Sequence, residues 1–339
     1  MKNVTLPYSV ALELTYRCNH KCKFCSCPWY APSSKYQKGN ELNVDEWKTV
    51  VDILYDNGVK YFSLSGGEVL LKDGFTEVLS YIRKKGTERN IYHPIVLISN
   101  GLNMTDEYLK FFKDLNVHLS MSLPGYQTFE YHTGVDNADG VLNWFDKAKA
   151  IGLTTTVNVT VTNKNFHELF ETISLGVIHG ADSVLLNRFL PGGRGLEYYG
   201  NLLLQPEQVN KMLETVEEVL TLSNRYGNVG TEIPYCAIHN PEKYKRIHFG
   251  YCCAAAKGFF VVDPSGKIRV CNHSPKVVGH IFDNPMIADV AYWNMFANSD
   301  YKPQICNACN MKSKCDCGCR EVAHIIKGSA KAVDTSIIH

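Results

Sequence analysis

Thirteen cysteines fall in two groups: Cys18, Cys22, Cys25 and Cys27 near the start, and nine from Cys236 to Cys319, with none between. The first three sit in Cys18-Asn19-His20-Lys21-Cys22-Lys23-Phe24-Cys25, a C-x3-C-x2-C spacing within one short loop. Thiolates this close can wrap three corners of a 4Fe-4S cube. The fourth iron then lacks a cysteine, and an open metal position is where a substrate can bind and be activated. Taken alone, the triplet equally fits a structural zinc or a cluster closed by Cys27, which precedes Pro28 outside the spacing. A second segment, Ser65-Gly66-Gly67-Glu68, follows the next apolar run. Its glycines let a ligand approach the backbone, and Glu68 offers a carboxylate to a cationic amine.

Together these two segments resemble the radical S-adenosylmethionine (radical SAM) superfamily. The resemblance implies that the amine and carboxylate of S-adenosylmethionine chelate the open iron, with Gly66, Gly67 and Glu68 receiving the methionine amine. It extends to Ser99-Asn100-Gly101 and Ser120-Met121-Ser122-Leu123, which look like ribose and methionine contacts. Pro124 stands where an acidic residue often follows. Asn187-Arg188-Phe189 with Pro191-Gly192-Gly193-Arg194-Gly195 resembles the segment closing the sixth strand, so Arg188 is expected to meet the cofactor carboxylate or the substrate. The implied cofactor set is Phe24, Gly66, Gly67, Glu68, Asn100, Ser122 and Arg188, with Glu68 and Arg188 also catalytic. A surface salt bridge is the alternative for Arg188.

The later cysteines, with Gly266 and Cys271 separated by four residues and Cys306-x2-Cys309-x5-Cys315-x3-Cys319, resemble the SPASM extension of that superfamily. The resemblance implies two auxiliary 4Fe-4S clusters, one on Cys253, Cys271 and Cys319 and the other on Cys306, Cys309 and Cys315. Cys236 and Cys252 compete for the fourth place on the first, with Cys236 favoured because adjacent cysteines bind one cluster poorly. No cysteine follows Cys319, so Cys317 is the nearest substitute on the second.

Positioning these loops requires regular elements. Strands are predicted at Ser9–Leu14, Lys60–Leu64, Ile95–Ser99, Val117–Ser122, Thr154–Thr160 and Ser183–Asn187, alternating with helices near Val44–Asn57, Phe75–Lys85, Asp106–Asp114, Gly140–Ile151, Phe166–His179 and Glu207–Tyr226. Asn43 with Glu46, and Pro206 before Glu207, are helix-start signals. Strict alternation implies a parallel sheet with helices outside it. The expected fold is α/β: a partial (β/α)6 TIM-type barrel over residues 1–228, then a smaller cysteine-rich SPASM domain over 229–339 that opens with a hairpin at Gly258–Cys271 and ends in a helix. A doubly wound open sheet is the alternative.

The formal net charge of +1 and the lack of a Lys/Arg run leave no footprint for nucleic acid or an anionic membrane. Without an export signal or a long apolar run, the chain reads as cytoplasmic, where thiols stay reduced and metal ligation outranks disulfides. By resemblance, a 5′-deoxyadenosyl radical abstracts hydrogen from a substrate. The first expectation is maturation of a ribosomally made peptide by an oxidative thioether or carbon–carbon crosslink. Since the first strand starts at Ser9, a separate leader-binding protein is expected, with flavodoxin or ferredoxin as reductant. Alternatives are peptide epimerisation with Cys27 as hydrogen donor, small-molecule or tetrapyrrole oxidation, and sulfatase maturation. The last is disfavoured by Asn272, where an acidic residue is usual. A non-enzymatic electron carrier would have no use for Gly66-Gly67-Glu68.

Overall fold

Each of the six apolar runs forms its expected strand in a computed structural model that describes residues 4–335; positions 1–3 and 336–339 of the two expected domains lie outside the described residues. The strands are β1 (Ser9–Glu13), β2 (Tyr61–Ser65), β3 (Ile95–Ser99), β4 (Val117–Ser122), β5 (Thr155–Val161) and β6 (Ser183–Arg188). Between and after them run α1 (Val44–Asp56), α2 (Phe75–Glu88), α3 (Asp106–Asp114), α4 (Phe129–Thr133), α5 (Ala138–Ala150), α6 (Leu169–Ile178), α7 (Tyr199–Leu202) and α8 (Pro206–Ser223).

Local chemistry sets the helix ends. The Asn43 side chain accepts the N–H groups of Asp45 and Glu46, while Glu46 accepts from the Asn43 N–H, a reciprocal cap worth about 1 kcal/mol. Pro206 opens α8, where a missing N–H costs nothing. That helix stops short of its expected end at Tyr226, because Asn224 turns left-handed at φ 53° and the chain enters a new strand.

This strand is β7 (Tyr226–Val229), which pairs in parallel with β6; β8 (Ile247–Phe249) pairs in parallel with β7. Neither was expected, because Tyr-Gly-Asn-Val and Ile-His-Phe are too short to show an apolar pattern. At the opposite edge, β9 (Phe259–Val262) pairs in parallel with β1, and β10 (Lys267–Arg269) and β11 (Val277–His280) follow in antiparallel. The sheet order is β11-β10-β9-β1-β2-β3-β4-β5-β6-β7-β8. No pair joins β8 to β11 among the described residues, so the barrel is partial.

The expected hairpin is thus β9 and β10, and it extends the barrel sheet. One hydrophobic core runs from Trp47, Phe112 and Phe145 under the barrel helices to Phe260, Trp293 and Phe296, the last two on α9 (Val290–Ala297). A buried ion pair of Glu13 with Arg269 ties β1 to β10, and α10 (Arg320–Lys327) is the expected last helix.

Candidate active site

The register Glu13↔Ser65 brings the ends of β1 and β2 side by side, and the pairing continues into the loops that follow. Gly67 N–H donates to Thr15 O at 2.7 Å and Glu68 N–H to Arg17 O at 2.8 Å. The glycines are demanded by this lacing. Gly66 lies at φ 149°, and a Cβ there would stand 2.8 Å from Thr15 O, while one on Gly67 would overlap the Arg17 carbonyl. Their freedom therefore seats the cysteine loop, a role beyond the ligand approach expected of them.

Other elements fix the rest of that loop. Lys21 and Lys23 N–H groups donate to Thr133 O and His132 O at the end of α4, both at 2.8 Å. Gly195 N–H reaches Cys25 O at 3.1 Å, and the Arg194 guanidinium reaches Cys22 O at 3.2 Å. Arg194 sits in a segment noted in the sequence, but its contact with the cysteine loop had no local signal.

Cys18, Cys22 and Cys25 line a cavity of ≈ 430 Å³ that also takes in Phe24, Gly66, Gly67, Glu68, Asn100, Ser122 and Arg188. All the expected cofactor contacts therefore share one wall system, of a size suited to a small-molecule ligand. Burial pushes the Cys18 thiol up to about 11 and the Cys22 thiol well above its ordinary value. The Cys27 S–H bonded to Cys25 pulls Cys25 down. Cys27 also lines the cavity, with its sulfur 3.7 Å from Gly66 O.

The Glu68 carboxylate accepts three hydrogen bonds, from the Ser99 hydroxyl (2.8 Å), Asn100 N–H (2.8 Å) and Leu70 N–H (3.1 Å). Burial raises its pKa against those bonds. It thus holds the loop after β3 against the loop after β2. Asn100 goes on to bond Asn19 in the cysteine loop at 2.7 Å. Arg188 is buried; its guanidinium pairs with Asp334 at 2.9 Å and donates to Glu232 O at 2.8 Å. The surface salt bridge considered for it is therefore a buried one. Its Nε, like His20 Nε2, is a buried polar atom on a cavity-lining residue and has no hydrogen-bond partner among the described residues. Burial lowers the His20 pKa to about 4.

Three thiols at one end, a carboxylate and unpaired donors along the wall fit a cube with one open corner and a zwitterionic ligand upon it. Among the described residues no three His, Cys, Asp or Glu side chains converge as a single ion requires. A cube held at its corners does not need that convergence.

The later cysteines separate into two sets. Cys253, Cys271 and Cys319 line the same cavity as the first three. Burial raises all three, reinforced by mutual charge and by Glu232 beside Cys253 and Cys319. The second set is Cys306, Cys309, Cys315 and Cys317: Cys317 Sγ is 3.1 Å from Cys306 Sγ, and Cys317 N–H donates to Cys315 Sγ at 3.3 Å. Burial raises the Cys236 thiol, and the charges of Cys315, Cys306 and Cys309 add to it. Cys252 bonds Lys314 O at 3.3 Å. Cys236, expected beside Cys253, is not among the residues that line the cavity with Cys253, Cys271 and Cys319.

Residues 12–176 match the radical SAM superfamily. The chain is 25% identical to the PqqA peptide cyclase of Bradyrhizobium diazoefficiens over 97% of its own length and 85% of that protein's. It is 26% identical to the PqqA peptide cyclase of Rhodopseudomonas palustris over 97% and 86%. Its fold is similar to Streptococcus suis SuiB bound to S-adenosylmethionine, with a TM-score of 0.72 at 16% identity over 98% of this chain and 77% of that one. It is also similar to anSMEcpe with bound AdoMet, with a TM-score of 0.71 at 18% identity over 93% and 90%. The matched residues span the cysteine loop and the Gly-Gly-Glu segment, so the chain carries a radical SAM domain and is an enzyme of the kind that uses S-adenosylmethionine and a 4Fe-4S cluster.

Proposed function

We propose that this enzyme matures a ribosomally made peptide by an oxidative crosslink, a thioether or a carbon–carbon bond. One observation carries the reading: Cys18, Cys22 and Cys25 line the same cavity as Cys253, Cys271 and Cys319. Bound at the first triplet, the reduced cluster and S-adenosylmethionine supply a 5′-deoxyadenosyl radical, the difficult chemistry of the reaction. The chain contributes position. Glu68, Asn100 and Arg188 set the wall against which the cofactor lies. A crosslink removes two hydrogens in all, so a substrate radical must give up an electron, and an acceptor on the same cavity serves that need. We assign residues 229–339 to an auxiliary-cluster domain, with its second cluster on Cys306, Cys309 and Cys315, and residues 1–228 to the barrel.

Peptide chemistry is supported by the PqqA peptide cyclases, similar over nearly the whole chain, and by the fold shared with SuiB bound to its precursor peptide SuiA. A separate leader-binding protein and a flavodoxin or ferredoxin donor complete the system. No helix among the described residues is long and apolar enough to cross a membrane, which accords with work in the cytoplasm.

The test is anaerobic incubation with S-adenosylmethionine, a strong reductant and each peptide encoded beside the gene. The expected result is 5′-deoxyadenosine together with a product lighter by two hydrogens, with deuterium from the attacked carbon appearing in 5′-deoxyadenosine. Cys27 on the cavity wall favours a second reading, epimerisation, which instead leaves mass unchanged apart from one solvent deuterium. Turnover of a small metabolite and of no peptide would overturn both.

A further inference from the structure

The set of Cys253, Cys271 and Cys319 supplies three thiolates to a cluster that has four corners. Neither cysteine expected to complete it is at hand. The Cys252 sulfur is bonded to Lys314 O, and neither Cys236 nor Cys252 lines the cavity that Cys253, Cys271 and Cys319 share. Four carboxylates line it: Glu13 is paired with Arg269 and Glu68 accepts from Ser99, Asn100 and Leu70, which leaves Glu232 and Glu321. Glu321 is committed elsewhere: it is buried on α10 and accepts the Tyr292 hydroxyl at 2.8 Å. Glu232 follows β7, only half-buried and on the cavity wall. Among the described residues, the one hydrogen bond its side chain receives from another residue is a long one, 3.3 Å from the N–H of Ala254, next to Cys253. Its backbone is fixed by the Arg188 guanidinium on Glu232 O, so its place between β7 and the cysteines does not depend on its carboxylate.

We infer that Glu232 is the fourth ligand of the auxiliary cluster held by Cys253, Cys271 and Cys319, its carboxylate oxygen occupying the corner iron that no cysteine reaches. The inference rests on the auxiliary-cluster reading above. A carboxylate is a harder ligand than thiolate, so this corner is the exchangeable one, and it faces the cavity where a substrate lies. Replacing one thiolate by an oxygen donor also changes the charge and bonding that set a cluster's potential. Cys236 is left to the second set, with Cys306, Cys309, Cys315 and Cys317.

The experiment uses the full-length protein, purified anaerobically and loaded with iron and sulfide, and reads iron content, electron paramagnetic resonance and midpoint potentials. Cys253→Ser identifies the signal of this cluster by removing or altering it. Glu232→Gln is expected to shift the g-values and potential of that same signal and to leave the other two clusters unchanged. Glu232→Cys, which restores a thiolate, is expected to retain full iron and lower that cluster's potential below the unmodified protein's. Spectra and potentials of both Glu232 variants that superimpose on the unmodified protein at full iron loading would overturn the inference. So would a Cys236→Ser variant that loses the signal lost in Cys253→Ser. If Glu232→Gln loses iron, retention of all clusters in Glu232→Cys supports ligation, and loss in both overturns it. An unmodified protein that holds iron for one cluster only would instead refute the auxiliary-cluster reading itself.

Discussion

The carboxylate of Asp334 meets the Arg188 guanidinium at 2.9 Å with both side chains buried, and the same oxygen accepts the Cys319 N–H at 2.9 Å. One side chain near the C-terminus thus joins the end of β6 to a cysteine of the first auxiliary set. Removing one partner of such a pair strands the other charge, at a cost of about 3–5 kcal/mol. Asp334→Ala is expected to lower the melting temperature clearly and to reduce iron incorporation. A melt and iron content equal to the unmodified protein's would show that the strap is dispensable.

Replacing Cys18, Cys22 and Cys25 together by alanine should remove one cluster of three, taking iron from ~12 to ~8 per chain and abolishing 5′-deoxyadenosine formation. Iron analysis beside a zinc assay decides it. Zinc at either cysteine group would refute the cluster assignment for that group.

Gly67→Ala tests whether the lacing of the loops matters as the geometry says. The new Cβ meets the Arg17 carbonyl, which leaves the cysteine loop no room to sit. This variant should lose about four iron per chain although no ligand has changed. Gly200→Ala, where an added Cβ has nothing within 4 Å, should keep full iron. Equal iron in the two variants would show the overlap to be easily relieved.

Glu68 offers a way to separate charge from hydrogen bonding. Glu68→Ala leaves the Ser99 hydroxyl and the Asn100 and Leu70 N–H groups without their acceptor, a loss of about 1–3 kcal/mol for each group left buried and unpaired. Glu68→Gln keeps an acceptor and removes the charge. Both should slow cleavage of S-adenosylmethionine at least about tenfold if the carboxylate binds the amine, since each 1.4 kcal/mol is a factor of ten. Only the alanine variant should also melt markedly lower. Cleavage at full rate in Glu68→Gln would confine the residue to holding the loop after β3.

The parts of the site written in adjacent residues were legible in the sequence. Cys18, Cys22 and Cys25 share one loop by spacing alone, the Gly66-Gly67-Glu68 segment ends a recognisable strand, and the six strands follow from apolar runs that need no partner to be seen. Caps at Asn43 and Pro206 belong to the same class, because each is a contact within one turn of its own helix.

What the tertiary structure alone decided involves residues far apart in the chain. The pairing of β9 with β1 and the pairing of Arg188 with Asp334 each join segments separated by more than seventy residues, and sequence spacing carries no distance information at that range. Strands β7 and β8 went unseen for a related reason, since they are stable only as additions to an existing sheet edge. The same holds for Glu232, a residue with no motif around it, which the fold brings to the cavity that Cys253, Cys271 and Cys319 also line.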